Sequence, residues 1–313
     1  MCSGTRLIKW GKRNGKQRYR CQDCEALSTG QNKGVSKKNR FIWFEKWVNE
    51  RRTLEQLSTE SNYSVRTLKT YFHDYLQKAP VWTVYPSEKV NLLIDGTYFS
   101  NNLCLILYRD NTIKFTQLYR LTNGEWYEEL KEDLENLLEL GVQIESITCD
   151  GHKAQLKAIR KVCKHVTLQR CVVHVQRMCQ IWLRMRPKTE AGIELRAIVT
   201  QLHRINTILK RDYWIVSLVH WYEKHKDFIN EKTVNLESGR YWYKHKMVRR
   251  SFIVIKKALP DLFHYLDNPK IPKSTNGLES FFGHLKGHLN VHRGLSKEHR
   301  KNFIRWYLYF KNK

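Results

Sequence analysis

No apolar run in these 313 residues approaches the roughly 18 needed to cross a bilayer, so nothing in the sequence reads as a membrane-spanning helix. Acidic residues are scarce beside basic ones, 30 Asp and Glu against 56 Lys and Arg, for a formal net charge of +26. Self-repulsion on that scale is tolerable when the partner is a polyanion. A membrane surface fits less well, because no strongly amphipathic basic helix dominates. The N-terminal stretch MCSGTRLIKWGKR has charge but no apolar core behind it, so a secretory signal is not expected. A cytoplasmic, nucleoid-associated location is the expectation that follows. In that compartment the eight cysteines are thiols or metal ligands and not a disulfide framework.

What is present belongs to a folded chain of two or three domains, with 41% hydrophobic and 12% aromatic residues. The positive charge gathers at the ends. Residues 1–40 carry 11 basic and 2 acidic residues, and residues 240–313 carry 17 and 4. An end-weighted basic surface with interleaved aromatics points to nucleic acid, and double-stranded DNA is the expected partner.

Near the N-terminus, Cys21-Gln-Asp-Cys24 forms a CxxC knuckle behind the basic, turn-rich stretch GKRNGKQRYR. Zinc takes four thiolate or imidazole ligands, which two such knuckles supply. Only Cys2 precedes Cys21, so the first knuckle reads as cut. Residues 1–35 are therefore expected to be a truncated zinc ribbon holding Zn²⁺ through Cys2, Cys21 and Cys24, or else free cysteines in a basic turn. The segment resembles the ribbon of insertion-sequence transposases, in which CPxCGS precedes KxGxxxGKQRYxCxxC; on that resemblance Cys2 is the second ligand. Residues 36–80 read as a helix-turn-helix. Phe41, Phe44, Trp47 and Val48 have helical spacing, Thr53 and Ser64 are placed to cap two further helices, and Ser61-Asn62-Tyr63 is the turn. Leu54, Leu57, Val65, Leu68 and Phe72 would form the shared core. That leaves Arg66, Thr67, Lys69 and Thr70 facing outward, with Arg66 and Lys69 suited to the major groove. An ordinary three-helix packing unit is the alternative. Residues 79–90, with Pro80 and Pro86, read as a linker.

Residues 90–175 alternate strand and helix patterns. Strands are expected at Asn91–Phe99, Leu103–Arg109, Ile113–Leu121, Ile144–Cys149 and His165–Leu168, with helices at 125–140 and 152–163. The order predicts an α/β fold with a mixed sheet. Asp95 follows Leu92-Leu93-Ile94, and Asp150 follows Ile147-Thr148-Cys149. A carboxylate placed behind apolar residues is costly unless it is paired or binds metal. Adjacent strands would bring the two within reach of one cation, although each also precedes a glycine, and Asp-Gly opens turns. Glu279, Gly283 and Lys286 share one helical face further on, with Lys286 placed to meet a phosphate; Asn276 and Glu279 equally have the spacing of a capping pair. Residues 176–270 read as a helical insertion. There Trp242, between Tyr241 and Tyr243 and among basic residues, is a candidate for stacking on an unpaired base, with plain packing the alternative. Cys171 and His174 stand one helical turn apart, and with Cys163, His165 and Cys179 nearby a second zinc site is conceivable. Residues 271–313 are expected to supply the last core helix and a basic tail, in which Arg293 would grip phosphates.

Four motifs occur in one order: IDGTYF around Asp95, CDGHKA around Asp150, QRCVVHVQR around Cys171 and His174, and NGLESFFGHLK around Glu279. Together they resemble the acidic triad and C-x2-H signature of Mutator-like bacterial insertion-sequence (DDE) transposases, in a variant with an N-terminal zinc ribbon. The resemblance spans almost the whole chain. It implies an RNase H-like core interrupted by a helical insertion. It also implies that Asp95, Asp150 and Glu279 are the catalytic, metal-binding triad, with Cys171 and His174 as active-site support. Two Mg²⁺ ions would then serve cleavage at terminal inverted repeats and strand transfer into target DNA, and pairing two ends would call for a homodimer. A catalytically inactive DNA-binding regulator and a stand-alone RNase H-like nuclease are the rival readings.

Overall fold

The computed structural model describes residues 6–29, 33–86, 88–100 and 102–313, without side chains for 33–38. Its contacts divide the chain into two units. One takes in the described residues up to Pro80 together with Gly287–Phe310; the other spans Val81–Lys286 and ends with Lys311–Lys313.

The first unit opens with an antiparallel sheet of β1 (Leu7–Arg13), β2 (Lys16–Cys21) and β3 (Leu27–Ser28). Three helices follow, α1 (Lys33–Asn49), α2 (Leu54–Ser61) and α3 (Val65–Leu76). The expected caps are present. Thr53 and Gln56 form a reciprocal capping box on α2, and the Ser64 hydroxyl accepts from Thr67 N at 3.1 Å at the start of α3. Leu57, Leu68 and Phe72 are buried, whereas Leu54 and Val65 are only half covered. An aromatic cluster built from Phe44, Trp47 and Phe72 completes this core with the C-terminal residues His292, Phe303, Trp306 and Phe310. The segment read as a basic tail therefore spends its apolar side chains on the N-terminal helices.

In the second unit, β4 (Val90–Phe99), β5 (Leu103–Asp110), β6 (Phe115–Thr122), α4 (Tyr127–Glu139), β7 (Ile144–Cys149), α5 (Lys153–Val162) and β8 (Thr167–Arg170) build a five-stranded sheet in the order β6-β5-β4-β7-β8. The β4–β5 and β5–β6 pairs are antiparallel; β4–β7 and β7–β8 are parallel. Leu92, Ile94, Ile106, Tyr108, Ile147 and Cys149 point to one face, where Leu130, Leu134 and Leu137 of α4 and Ala158 and Ile159 of α5 cover them. The third strand starts at Phe115 and not Ile113, because Asp110 Oδ1 accepts from Thr112 N and Lys114 sits at φ +56°, holding a turn there. The fifth lies two residues later than expected, because Val166 N closes a turn on Cys163 O after α5. This mixed α/β sheet with helices is consistent with an RNase H-like core.

The chain then leaves the sheet as α6 (Val172–Leu183), α7 (Glu190–Gln201) and α8 (Ile208–Asn230), passes through a short hairpin of β9 (Lys232–Val234) and β10 (Tyr241–Tyr243), and continues as α9 (Lys246–Ala258). Trp214 and Trp221 are buried in the helical core and donate their indole N–H groups to Ile198 O and Ala191 O at 2.8 and 2.9 Å. The chain returns as α10 (Asn276–Val291) and α11 (Lys297–Lys311). At the start of α10, a Cβ on Gly277 would lie 4.0 Å from Leu93 Cδ1, so the helix begins close over the second face of the sheet. Among the described residues no helix is long and apolar enough to cross a membrane.

Candidate active site

Parallel pairing of β4 with β7 aligns Ile94 with Cys149, which leaves Asp95 and Asp150 as the next residues of neighbouring strands. Asp95 is only 6% exposed, and its Oδ1 accepts from Gly96 N at 2.9 Å. Burial, followed by the charge of Asp150, pushes its carboxyl up to about 7, against the pull of His174. Asp150 Oδ1 accepts from His152 N at 2.7 Å. Arg170 is buried beside it and donates from Nη2 to Asp150 O at 3.3 Å. Its guanidinium occupies the space that a side chain on Gly151 would need, and Gly151 has φ +87°.

Glu279 lies in the first turn of α10. The first i→i−4 bond of that helix runs from Glu279 N to Thr275 O, so Asn276 is inside the helix and does not cap it. Thr275 is turned toward α6 instead. Its N–H reaches Cys171 Sγ at 3.3 Å, and its hydroxyl lies 3.4 Å from His174 Nδ1. His174 Nδ1 stands 3.2 Å from Cys171 Sγ, and its Nε2 is 3.4 Å from Glu279 Oε1. The bond to Cys171 raises His174 to about 9, so near neutral pH the imidazolium donates through Nδ1 and presents Nε2–H to Glu279. Burial acts to raise the Cys171 thiol, but His174 and the Thr275 N–H outweigh it and hold the thiol below its ordinary range. Arg177 completes the surroundings of Glu279, donating from Nη1 at 2.9 Å and from Nη2 at 3.3 Å.

The three expected carboxylates thus come within reach of the charge of His174, which contacts Glu279 and acts through space on Asp95 and Asp150, but their engagements differ. Asp95 and Asp150 repel each other, while Glu279 is held by cations. Among the described residues no three His, Cys, Asp or Glu side chains are gathered tightly enough to hold a metal ion as they stand. The Asp95–Asp150 pair nevertheless fits a divalent cation: one carboxylate is buried, its hydrogen bond comes from its own neighbour's backbone, and its charge is opposed by a second carboxylate. Cys163 and Cys179 are buried, with thiols pushed up to about 11 and about 12 by burial, and Cys179 Sγ turns to Ser251 O.

A further carboxylate went unread in the sequence. Glu125 sits between β6 and α4, its side chain 9% exposed, with Oε2 accepting from Gln155 Nε2 at 2.7 Å and 4.0 Å from His152 Nδ1. Burial and then Asp150 raise its pKa. The available signal was topological: β4, β6 and β7 all end at the same edge of the sheet, so an acid just after β6 falls near Asp95 and Asp150.

The residues expected to meet DNA are distributed over both units. Arg66 and Lys69 are exposed on α3, and Arg293 is exposed after α10. In the other unit Lys286 lies 5.6 Å from the Phe99 ring, and Trp242 stands 52% exposed on β10. Lys232 lies over Tyr241 and Arg249 over Tyr243, so the hairpin is both aromatic and basic. Cys21 is buried and Cys24 exposed, while Cys2 lies outside the described residues.

A search of curated proteins finds no match to the chain. Residues 127–281 match the family model described as "Transposase IS66 family", a stretch that holds Asp150, Cys171, His174 and Glu279 and begins after Asp95. The match is to IS66 and not to the Mutator-like family that the motifs resemble. It supports an insertion-sequence transposase.

Proposed function

We propose that the chain cuts and joins DNA at element ends as a DDE transposase, with Asp95, Asp150 and Glu279 as its acidic triad. The observation that carries the reading is the Asp95–Asp150 pair: two carboxylates at the ends of neighbouring parallel strands, one of them buried and raised by the other. Glu279 is carried toward them by α10, and Cys171 and His174 fix the approach of that helix to α6. Magnesium suits all-oxygen ligation, and two such ions would neutralise charge on the phosphate and the leaving oxygen. His174, protonated at Nε2, offers a donor next to the site.

Around this centre, Trp242 would stack on an unpaired base and Lys286 would meet a backbone phosphate. Arg66 and Lys69 would read the major groove from a helix-turn-helix, and Arg293 would add a phosphate contact. The Mutator-like assignment within insertion-sequence transposases rests on the four ordered motifs. A ribbon zinc held by Cys21 and Cys24 with Cys2, and a homodimer pairing two ends, belong to the same proposal.

The test is incubation with inverted-repeat DNA and Mg²⁺ beside Asp95→Ala. Cleavage followed by joining, both lost in the variant, supports the proposal. Cleavage without joining would make the protein a nuclease. Equal binding by both proteins with no cut product would make it a regulator.

A further inference from the structure

Helix α5 leaves the turn at Asp150 with no acidic residue along its length. His152, whose backbone N–H holds Asp150 Oδ1 at 2.7 Å, directly precedes its first residue, Lys153. Gln155, Ala158 and Ile159 are its buried positions. Lys153, Lys157 and Lys161 therefore fall on the exposed side at i, i+4 and i+8, with Arg160 beside them and Lys164 just beyond the end.

Like charges at this spacing destabilise a helix, and Lys153 in the first turn also opposes the helix dipole. Of these five cations, Arg160 alone is ion-paired among the described residues, to Asp261 at 2.8 Å. Acids of neighbouring α4 are engaged elsewhere, Glu132 and Asp133 with Arg120 and Glu135 with Lys131. Lysines on another helix are matched: Lys224 lies 2.8 Å from Glu190 and 2.6 Å from Glu194, and Lys226 lies 2.7 Å from Glu223. The unrelieved repulsion along α5 is a local feature and not a general consequence of the net charge.

Shape supplies a second observation. An open cleft of about 530 Å³ runs beside the row, lined by Tyr127, Lys153, Leu156, Lys157, Arg160 and Lys161, and no carboxylate lines it. From Lys153 to Lys161 the helix rises about 12 Å, about the axial length of three to four nucleotides on one DNA strand. Evenly spaced charges of one sign over that distance match a polyanion with a regular repeat, not a single phosphate. Helix α5 carries no aromatic side chain, and Lys157 Nζ sits over the Tyr127 ring at 4.0 Å, so an unpaired base finds no stacking platform in the row.

We propose that the exposed face of α5 is a duplex-DNA surface, on which Lys153, Lys157 and Lys161 each meet a backbone phosphate and no base is read. The proposal rests on the transposase reading of the chain and adds a grip outside the residues which that reading assigns. Because α5 starts at the Asp150 turn, it ties the bound backbone to the position of that carboxylate.

Binding of the full-length chain to a fully paired duplex of unrelated sequence, measured without divalent metal over a range of salt, tests this apart from activity. The triple variant Lys153→Gln, Lys157→Gln, Lys161→Gln should flatten the slope of log affinity against log salt by about 2.7, about 0.9 for each lost phosphate contact. Its thermal midpoint should equal or exceed the wild type's, since like-charge neighbours are removed. A charge-matched control, Lys131→Gln, Lys224→Gln, Lys226→Gln, removes lysines that are already paired and should keep the wild-type slope. An unchanged slope in the α5 variant, an equal loss in the control, or a loss confined to single-stranded DNA overturns the proposal. A clearly lower midpoint in the α5 variant would make these lysines structural and overturn it too. Wild-type protein that binds no duplex at any salt brings down the transposase reading as well, whereas wild-type binding that the α5 variant fully retains removes only the role of α5.

Discussion

The guanidinium of Arg177 forks onto the carboxylate of Glu279, 2.9 Å from Oε1 and 3.3 Å from Oε2. Both side chains are partly exposed, so the pair adds little stability, on the order of 0–1 kcal/mol. Its consequence is competition, because a carboxylate committed to arginine is less available to a cation. Arg177→Gln is expected to melt within about 1 kcal/mol of wild type. It should also lower the Mg²⁺ concentration that half-activates cleavage. A titration that leaves this midpoint unchanged would remove Glu279 from the metal-binding set.

Asp95 gives the metal-free protein a pH dependence of unusual sign. Its folded pKa of about 7 lies above the ordinary carboxyl value of 3.8, so the folded state holds a proton that the unfolded state has lost. The associated stability is full below 3.8 and is lost as pH rises through about 7. In chelator, the melting temperature of the wild type should fall relative to Asp95→Asn between pH 4 and 8, and added Mg²⁺ should close the gap. Parallel curves for the two proteins would contradict the burial argument.

His292 works in the opposite direction. Burial lowers it from 6.5 to about 4, and the bond from Nε2–H to Trp47 O at 3.0 Å offsets only part of that lowering. The unfolded state gains the proton first, so stability is present above 6.5 and lost as pH falls toward 4, by about 3 kcal/mol at most. Acid titration of stability should therefore be flatter in His292→Gln, which retains an N–H donor, than in the wild type.

Gly151 is expected to tolerate no side chain. Alanine there would meet the positive φ and place Cβ against the Arg170 guanidinium. Gly151→Ala should lose about 2 kcal/mol or more by chemical denaturation, and cleavage with it, because the displaced Arg170 braces the Asp150 turn.

Trp242 separates binding from folding. Its indole is exposed and outside the helical core. Trp242→Ala should change stability by less than about 0.5 kcal/mol. Affinity for element-end DNA carrying an unpaired base should weaken by about 1–3 kcal/mol, with fully paired DNA less affected. Equal losses on both substrates would return Trp242 to a general surface role.

Period-two apolar runs and capping residues made most elements legible in the sequence, and Ile144–Cys149 falls where alternation put it. Strand starts at Phe115 and Thr167 were missed because turns held by Asp110 and Cys163 consume the first residues of each pattern. Asp95 stood out as an acid behind the apolar triplet Leu92-Leu93-Ile94, and Asp150 as one closing the strand-like Ile147-Thr148-Cys149. Glu125 did not, since an acid opening an acidic helix looks like ordinary solvated charge.

Composition and motif order by themselves determined a basic, nucleic-acid-directed chain with acids at strand ends, because charge count and hydrophobic period are local properties. Tertiary structure alone decided the partners: parallel pairing set Asp95 beside Asp150, the return of α10 gave Glu279 to Arg177 and His174, and the bare backbone of Gly96 admitted Glu125. Those outcomes depend on which distant segments meet, and a buried charge takes its character from whatever it meets there.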